Sequence, residues 1–108
     1  METKNYLDML RSNKKAPIYV SMVQALCYYL YENNVTHKII MDVMHKTKSN
    51  VYYSISQAKN RLDVNDDIMK RAYNEIANHK IRVVPCTVDG GVLSRHVGYK
   101  LLIDNEIF

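Results

Sequence analysis

The spacing of apolar residues changes near residue 80, from the three-to-four-residue period of a helix to the shorter period of a strand. The first part predicts a short helix over residues 3–12 and a longer helix that starts at Pro17 or Ser21. Ser21 and Gln24 have the spacing of a capping box, in which two side chains satisfy free backbone N–H groups at a helix start. The asparagine pair at 33–34 is expected to end this longer helix.

A pair of helices joined by a short polar turn is predicted for residues 36–62. Thr36 is the expected N-cap of the first helix and Ser49 that of the second, because short hydroxyl side chains accept hydrogen bonds from free helix N–H groups. Residues 45–48 supply the turn. The second helix has an inward apolar stripe at helical spacing, formed by Val51, Ile55, Ala58 and Leu62.

A fourth helix is predicted after a break at residues 63–65. Its expected N-cap is Asn65 or Asp66, and acidic residues in its first turn suit the positive end of the helix dipole. Its apolar stripe is expected to be Ile68, Ala72 and Ile76, with Met69 and Tyr73 beside it.

The C-terminal part of the chain predicts a small antiparallel sheet. Residues 81–88 have the composition of a strand, and Asp89-Gly90-Gly91 is a strong hairpin-turn signal. The returning strand is expected in two pieces, residues 92–93 and 97–103, with a bend at 94–96 between them.

The composition fits one globular domain over residues 1–108, with 47% apolar and 24% charged residues. The predicted fold class is α+β: mainly a helical bundle over residues 3–79, followed by a small C-terminal β-hairpin or wing over 81–103. No apolar run is long enough to span a bilayer, and the first residues lack the pattern of a signal peptide. A cytoplasmic location away from membranes is therefore expected, with Cys27 and Cys86 reduced rather than joined in a disulfide.

The positive charge is concentrated in the predicted helix pair. The net charge is +4, and residues 36–62 alone carry four lysines and one arginine against one aspartate. No acidic residue occurs from residue 43 to residue 62. A solvated helix face usually mixes acids with bases, whereas an acid-free polar face suits the phosphate backbone of nucleic acid.

These features favour a helix-turn-helix that reads duplex DNA, in which the first helix braces the second and the second enters the major groove. The residues expected to contact bases are Lys48, Ser49, Asn50, Tyr53 and Gln57. The residues expected to contact phosphates are Lys14, Lys15, Lys38, Lys46 and Arg61. Tyr52 is expected to be half-buried beside the exposed Tyr53.

Three segments resemble the C-terminal DNA-binding domain of the bacterial replication initiator DnaA: residues 21–30, 35–44 and 46–51. In this placement Lys46 matches an Arg of the family, Lys48-Ser49-Asn50 match its His-Thr-Thr run, and Val51 matches its Val. The family's Gly-Gly-Arg-Asp signature is absent, and His45-Lys46-Thr47 stands in its place. The resemblance covers about residues 17–62 and no ATPase module. It therefore implies a DNA-reading fold, of the kind a phage or mobile-element relative would carry, without ATP-dependent initiation.

The sequence indicates neither catalysis nor a cofactor. Its four histidines are scattered without paired metal spacing, and it has no phosphate-binding glycine-rich loop. We therefore expect a non-catalytic, basic DNA-binding protein, such as a phage or mobile-element replication or transcription factor. The alternative is a phage-type accessory or virion protein that uses the same bundle to bind another protein. A homodimer or a protein partner beside duplex DNA stays open.

Overall fold

The computed structural model describes residues 17–90 and 93–107. In this part of the chain, helices precede a three-stranded antiparallel sheet, which confirms the α+β class. The helices are α1 (Pro17–Glu32), α2 (His37–Met44), α3 (Lys48–Asp63) and α4 (Asp67–Ala77), and the strands are β1 (Ile81–Gly90), β2 (Leu93–Ile103) and β3 (Glu106–Ile107). None of these helices combines the length and the apolar composition needed to cross a bilayer. The helix predicted over residues 3–12 lies outside the described residues.

The helices α1, α2 and α3 end in the same way, with a residue in the left-handed backbone region. These residues are Asn34, His45 and Asn65, with φ of 67°, 54° and 60°. The backbone N–H that follows each of them reaches back five residues, to the carbonyl of Leu30, Met41 or Arg61. This hydrogen bond closes the helix and turns the chain sharply, so the next helix begins within three residues of the turn. The predicted end of the longer helix at residues 33–34 is thereby confirmed.

Two of the predicted helix caps are confirmed. Thr36 Oγ1 accepts a hydrogen bond from the backbone N–H of Ile39 at 3.4 Å. Asp66 Oδ1 accepts one from the backbone N–H of Met69 at 2.9 Å. Each cap satisfies an N–H group that the first helical turn leaves without a partner inside the helix.

Two other predicted caps are wrong. Thr47, and not Ser49, caps α3, because Thr47 Oγ1 accepts the hydrogen bond from the Asn50 N–H at 3.2 Å. The capping box expected at the start of α1 does not form. This helix begins at Pro17, and Ser21 is buried in its second turn. Proline suits the first position of a helix because it has no N–H to satisfy there.

One hydrophobic cluster joins the helices to the base of the sheet, with α1 packed against both α3 and α4. The α3 stripe is buried at Val51, Ile55 and Ala58, as predicted, and Leu62 packs at the margin. The other buried apolar residues are Met22, Ala25, Leu26, Cys27, Leu30, Ile40, Val43, Met44, Met69, Ala72, Ile76, Leu101 and Ile103. Cys27 and Cys86 are both free, which confirms that they form no disulfide.

The buried face of α4 differs from the predicted one at its first position. Met69 is fully buried with Ala72 and Ile76, whereas Ile68 is 40% exposed. At about 100° per residue, Met69, Ala72 and Ile76 span a narrower arc than a stripe that starts at Ile68. The core therefore takes the methionine and leaves the isoleucine at the surface.

The sheet has the order β1-β2-β3, with β1 and β2 paired from Ile81↔Ile103 to Gly90↔Leu93. The bend predicted at residues 94–96 is wrong, because β2 is continuous from residue 93 to residue 103. The third strand comes instead from β3, whose Glu106 pairs with Ile103. The connecting residues 91–92 lie outside the described part of the chain.

A β-bulge interrupts the ladder in its middle. Cys86 pairs with Gly98, and Thr87 pairs with His96, so Val97 is the extra residue in β2. A bulge bends its strand and changes the direction of the residues that follow it. Gly98 comes directly after the bulge with a φ of 151°, in the region that favours glycine.

Asp104 joins the sheet to the end of α4. Its backbone N–H donates to the Lys80 carbonyl at 2.8 Å, and its carboxylate accepts from the Lys80 N–H at 2.9 Å. The other carboxylate oxygen contacts His79 Nδ1. The hydrogen bonds from His79 and Lys80 lower the pKa of the Asp104 carboxyl, which keeps this contact charged in mild acid.

The helix phase of α3 is testable by stability. We expect Ile55→Ala to reduce the free energy of unfolding by about 2–5 kcal/mol, because it leaves a cavity in the core, where Ile55 is 8% exposed. The exposed Lys59→Ala on the same helix should change it by less than about 0.5 kcal/mol. Chemical denaturation of both variants measures the difference. Equal losses would mean that the inward face of α3 is misassigned.

Candidate nucleic-acid interface

The face of α3 that points away from the core is polar. Its exposed side chains are Lys48, Ser49, Asn50, Tyr52, Tyr53, Ser56, Lys59, Asn60 and, at the last position of the helix, Asp63. Helical geometry puts Ser49 and Tyr53 near the centre of this face, with Lys48 and Asn50 on opposite flanks, about 160° apart. Gln57 is half-buried at the margin. The predicted base-contact residues therefore share one helix, with all but Gln57 exposed.

The electrostatics of this face are set by the absence of acids. Neither α2 nor α3 has an acidic residue in its first turn, and Asp63, the last residue of α3, is the only acid in that helix. The remaining acid of the helix pair, Asp42, is turned to the sheet, where Oδ2 accepts from the Tyr99 N–H at 2.9 Å. No carboxylate of α3 therefore opposes an anion at its first three turns.

A stack of three aromatic rings joins α1, α2 and α3, with Tyr31 and Tyr52 exposed and His37 half-buried between them. The His37 ring lies on the Tyr52 ring, with centroids 4.0 Å apart and planes at 17°, and Tyr31 packs on His37 at 5.3 Å. Lys48 Nζ is 5.8 Å from the centre of the Tyr52 ring, a distance at which the cation and the ring attract each other. The first residue of α2 and the first two turns of α3 are thereby held together.

The two adjacent tyrosines of α3 differ little in exposure. Tyr52 is 48% exposed, close to the predicted half-burial, and Tyr53 is 59% exposed. His37 and Tyr31 were not predicted to be part of this surface. The sequence around the ends of these helices does not predict the stack, because the stack depends on the angle at which α2 and α3 cross.

The predicted phosphate contacts are placed in different ways. Lys38 is exposed on α2, and Lys46 is half-buried in the turn before α3. Both line a groove between α2 and β2. Lys14 and Lys15 lie outside the described residues.

Arg61 does not stand at the surface as a phosphate contact, which corrects the prediction. Its Nε and Nη2 donate to the two carboxylate oxygens of Asp66 at 3.1 and 3.2 Å. Its Nη1 donates to Oε1 of the buried Gln24 at 3.1 Å. The guanidinium is thus held between α1, α3 and the cap of α4, and it lowers the pKa of the Asp66 carboxyl.

The described part of the chain shows neither an activated thiol nor a cluster of metal ligands. Burial raises the pKa of the Cys27 thiol to about 12, so the sulfur stays protonated at neutral pH. No group of three or more His, Cys, Asp or Glu side chains in the described part of the chain could hold a metal ion.

Comparison with protein-family models, curated proteins and solved structures gives no match.

The Arg61 network predicts a pH-dependent loss of stability. We expect Arg61→Gln to lower the melting temperature at pH 7, because Asp66 and Gln24 lose their shared donor. The folded-state pKa of Asp66 is lowered, so its contribution is complete above the usual aspartate range and is lost as the pH falls through the lowered pKa. The gap between variant and parent should therefore shrink below about pH 4.

Melting curves from pH 7 to pH 2 measure this gap, with Lys59→Gln as a variant of equal charge change on the same helix. An unchanged melting temperature for Arg61→Gln at pH 7 would mean that the hydrogen bonds of Arg61 do not stabilise the fold, and Arg61 would again be a candidate phosphate contact.

Proposed function

We propose that this protein binds duplex DNA without catalysis, with α2 and α3 acting as a helix-turn-helix and α3 entering the major groove. The observation that carries the proposal is the exposed polar face of α3, which has no acid in its first three turns and whose one acid, Asp63, is the last residue of the helix. Its core-facing stripe packs against α1, so the polar face is presented on a rigid element. Rigid presentation suits base reading, because the contacts must be held in register with the base edges.

The side chains of α3 match the chemistry of base edges. Asn50 and Gln57 carry amides, which pair in a bidentate manner with adenine. Lys48 donates to guanine N7 and O6, and Ser49 donates or accepts at either kind of pair. Tyr53, 59% exposed at the centre of the face, offers a ring for the thymine methyl and a hydroxyl for a phosphate.

The phosphate contacts in this proposal come from lysines around α3. Lys46 precedes the Thr47 cap, and Lys38 lies in the first turn of α2. Lys14 and Lys15 remain part of the proposal on the sequence alone. Arg61 leaves the set, because its guanidinium is bonded to Asp66 and Gln24.

The resemblance of residues 17–62 to the DnaA DNA-binding domain supports the same proposal. We propose on that basis a cytoplasmic, phage or mobile-element factor in replication or transcription. The charge distribution gives further support, since the net charge of the chain equals that of residues 36–62.

A second candidate function is binding to another protein through the same bundle, as a phage-type accessory or virion protein. The observation that favours it is the group of exposed tyrosines, Tyr31, Tyr52 and Tyr53. Tyrosine is enriched in protein interfaces. The two functions differ in salt dependence, because duplex binding releases counterions from phosphates.

The DNA proposal predicts a change in the salt dependence of binding when Lys46 and Lys48 are both changed to Gln. Affinity for every duplex should fall, and the slope of log affinity against log salt should flatten by about one to two units, because each lost phosphate contact removes about 0.9. Titrations at several salt concentrations measure the slope. Lys70→Gln with Arg71→Gln, an equal charge change on the exposed face of α4, is the matched control.

The control pair should leave the slope unchanged. If the parent binds duplex no better than a control protein of equal pI, the DNA-binding proposal fails. If both double variants flatten the slope of log affinity against log salt equally, the effect comes from net charge and not from contacts of Lys46 and Lys48 with phosphates.

Base reading by α3 is tested separately with Asn50→Ala and Gln57→Ala. Each should reduce discrimination between the preferred and a random duplex by about 1–3 kcal/mol, the value of one base-edge contact. A selection from random duplexes supplies the preferred site, and competition binding measures discrimination. Asn74→Ala, at an exposed amide on α4, is the control. Unchanged discrimination in both α3 variants would remove them from the reading face.

A further inference from the structure

A groove of about 780 Å³ lies between α2 and β2. The described residues that line it include Lys38, Ile39, Met41, Asp42, Lys46 and Tyr99. Lys38 lies near the start of α2, and Lys46 lies just beyond its end, so the two ammonium groups belong to opposite ends of the helix. Sites for small molecules span about 300–1,000 Å³, so this groove has a suitable size.

The wall of the groove depends on one hydrogen bond between helix and sheet. The Tyr99 N–H donates to Asp42 Oδ2 at 2.9 Å. A Cβ at Gly98 would lie 3.0 Å from the same oxygen, so only glycine admits this close approach without a shift. The positive φ of Gly98 makes a side chain there unfavourable as well.

The β-bulge at Val97 lies directly before this contact. It redirects β2, and the next two residues are the ones that line the groove. A bulge, a positive-φ glycine and a helix-to-strand hydrogen bond therefore meet at one wall. Tyr99 packs in part against the hydrophobic cluster, and because Gly98 and Tyr99 are only half-buried, the same wall also faces the groove.

The lining combines cationic ends with an apolar middle. The lysines belong to the two ends of α2, Ile39, Met41 and Tyr99 supply apolar lining, and Asp42, the one acid among the described lining residues, accepts the Tyr99 N–H. We propose that this groove binds a small organic anion, with a phosphate or carboxylate held by Lys38 or by Lys46 at one end and a flat apolar body against Tyr99. Lysine ammonium groups bind phosphates as point charges, and an apolar ring lies well on the face of a tyrosine.

The position of the groove gives such a ligand a consequence that rests on the proposed function. Lys38 and Lys46 are also the proposed phosphate contacts on DNA. An anion bound to either lysine neutralises a proposed phosphate contact and should therefore weaken duplex binding, and by linkage the duplex should weaken binding of the anion to the same extent.

The test is an NMR titration of the full chain with phenyl phosphate, and with inorganic phosphate as the probe that lacks the apolar body. Phenyl phosphate should shift the amide signals of Gly98 and Tyr99 to saturation, and inorganic phosphate should bind at least about tenfold more weakly. Lys38→Gln with Lys46→Gln should weaken phenyl phosphate at least about tenfold. The α4 pair Lys70→Gln and Arg71→Gln should leave the affinity unchanged.

A second variant separates charge from structure. Asp42→Asn keeps an oxygen that accepts the Tyr99 N–H but removes the negative charge from the groove. Binding of phenyl phosphate should then become about two- to fivefold tighter, since an exposed charge contact is worth a factor of this size. If Asp42 only holds the wall through its hydrogen bond with Tyr99, Asp42→Asn should bind phenyl phosphate no more tightly than the parent does.

Failure of phenyl phosphate to shift Gly98 and Tyr99, or equal binding by the Lys38/Lys46 variant, would overturn the proposal. If a duplex shifts the signals of Gly98 and Tyr99 and phenyl phosphate does not, the anion site is also overturned, and the groove belongs to the DNA interface. The duplex arm also separates the two proposals. A parent that binds phenyl phosphate but no duplex keeps the anion site and loses the proposed function.

Discussion

Burial of the α3 stripe against α1 is the constraint on which the candidate interface depends. The helix α1 lies at the centre of the hydrophobic cluster and packs on both α3 and α4. The α3 residues in this cluster are Val51, Ile55 and Ala58. Once these side chains face inward, helical periodicity leaves Ser49 and Tyr53 facing outward, with no other choice of face. The polar surface of α3 is therefore a consequence of core packing, and its position is as fixed as the core.

Charged side chains divide into two groups according to the same packing. Arg61 sits at the edge of the core, where Asp66 and Gln24 take its donors, so its charge serves the fold. Asp42 is likewise committed to the Tyr99 N–H and joins α2 to the sheet. The lysines of α2, the turn and α3 carry the surface potential. Once Arg61 and Asp42 are set aside, residues 36–62 retain four lysines and no acid, so their net charge stays at +4.

Local patterns were enough for most elements and for the phase of α3, because the stripe of Val51, Ile55 and Ala58 repeats cleanly. They were insufficient where neighbouring signals competed or where distant segments meet. Two hydroxyl residues stood near the start of α3, and only the left-handed His45 decides that Thr47 is the cap. Arg61 looked like a free cation although Asp66, which accepts two of its hydrogen bonds, lies only five residues away; its other partner, Gln24, lies 37 residues away. The bulge at Val97 and the hydrogen bond between Tyr99 and Asp42 depend on how the sheet packs on α2, which no single segment encodes.

The measurement that tests the central claim most directly is a map of amide chemical-shift changes when an unselected mixed-sequence duplex is added at low salt. Binding through α3 predicts the largest changes from Thr47 to Gln57, with none around Lys70 and Arg71 on the exposed side of α4. Changes centred on α4, or the absence of changes on α3 at concentrations that saturate other non-specific DNA-binding proteins, would contradict the account.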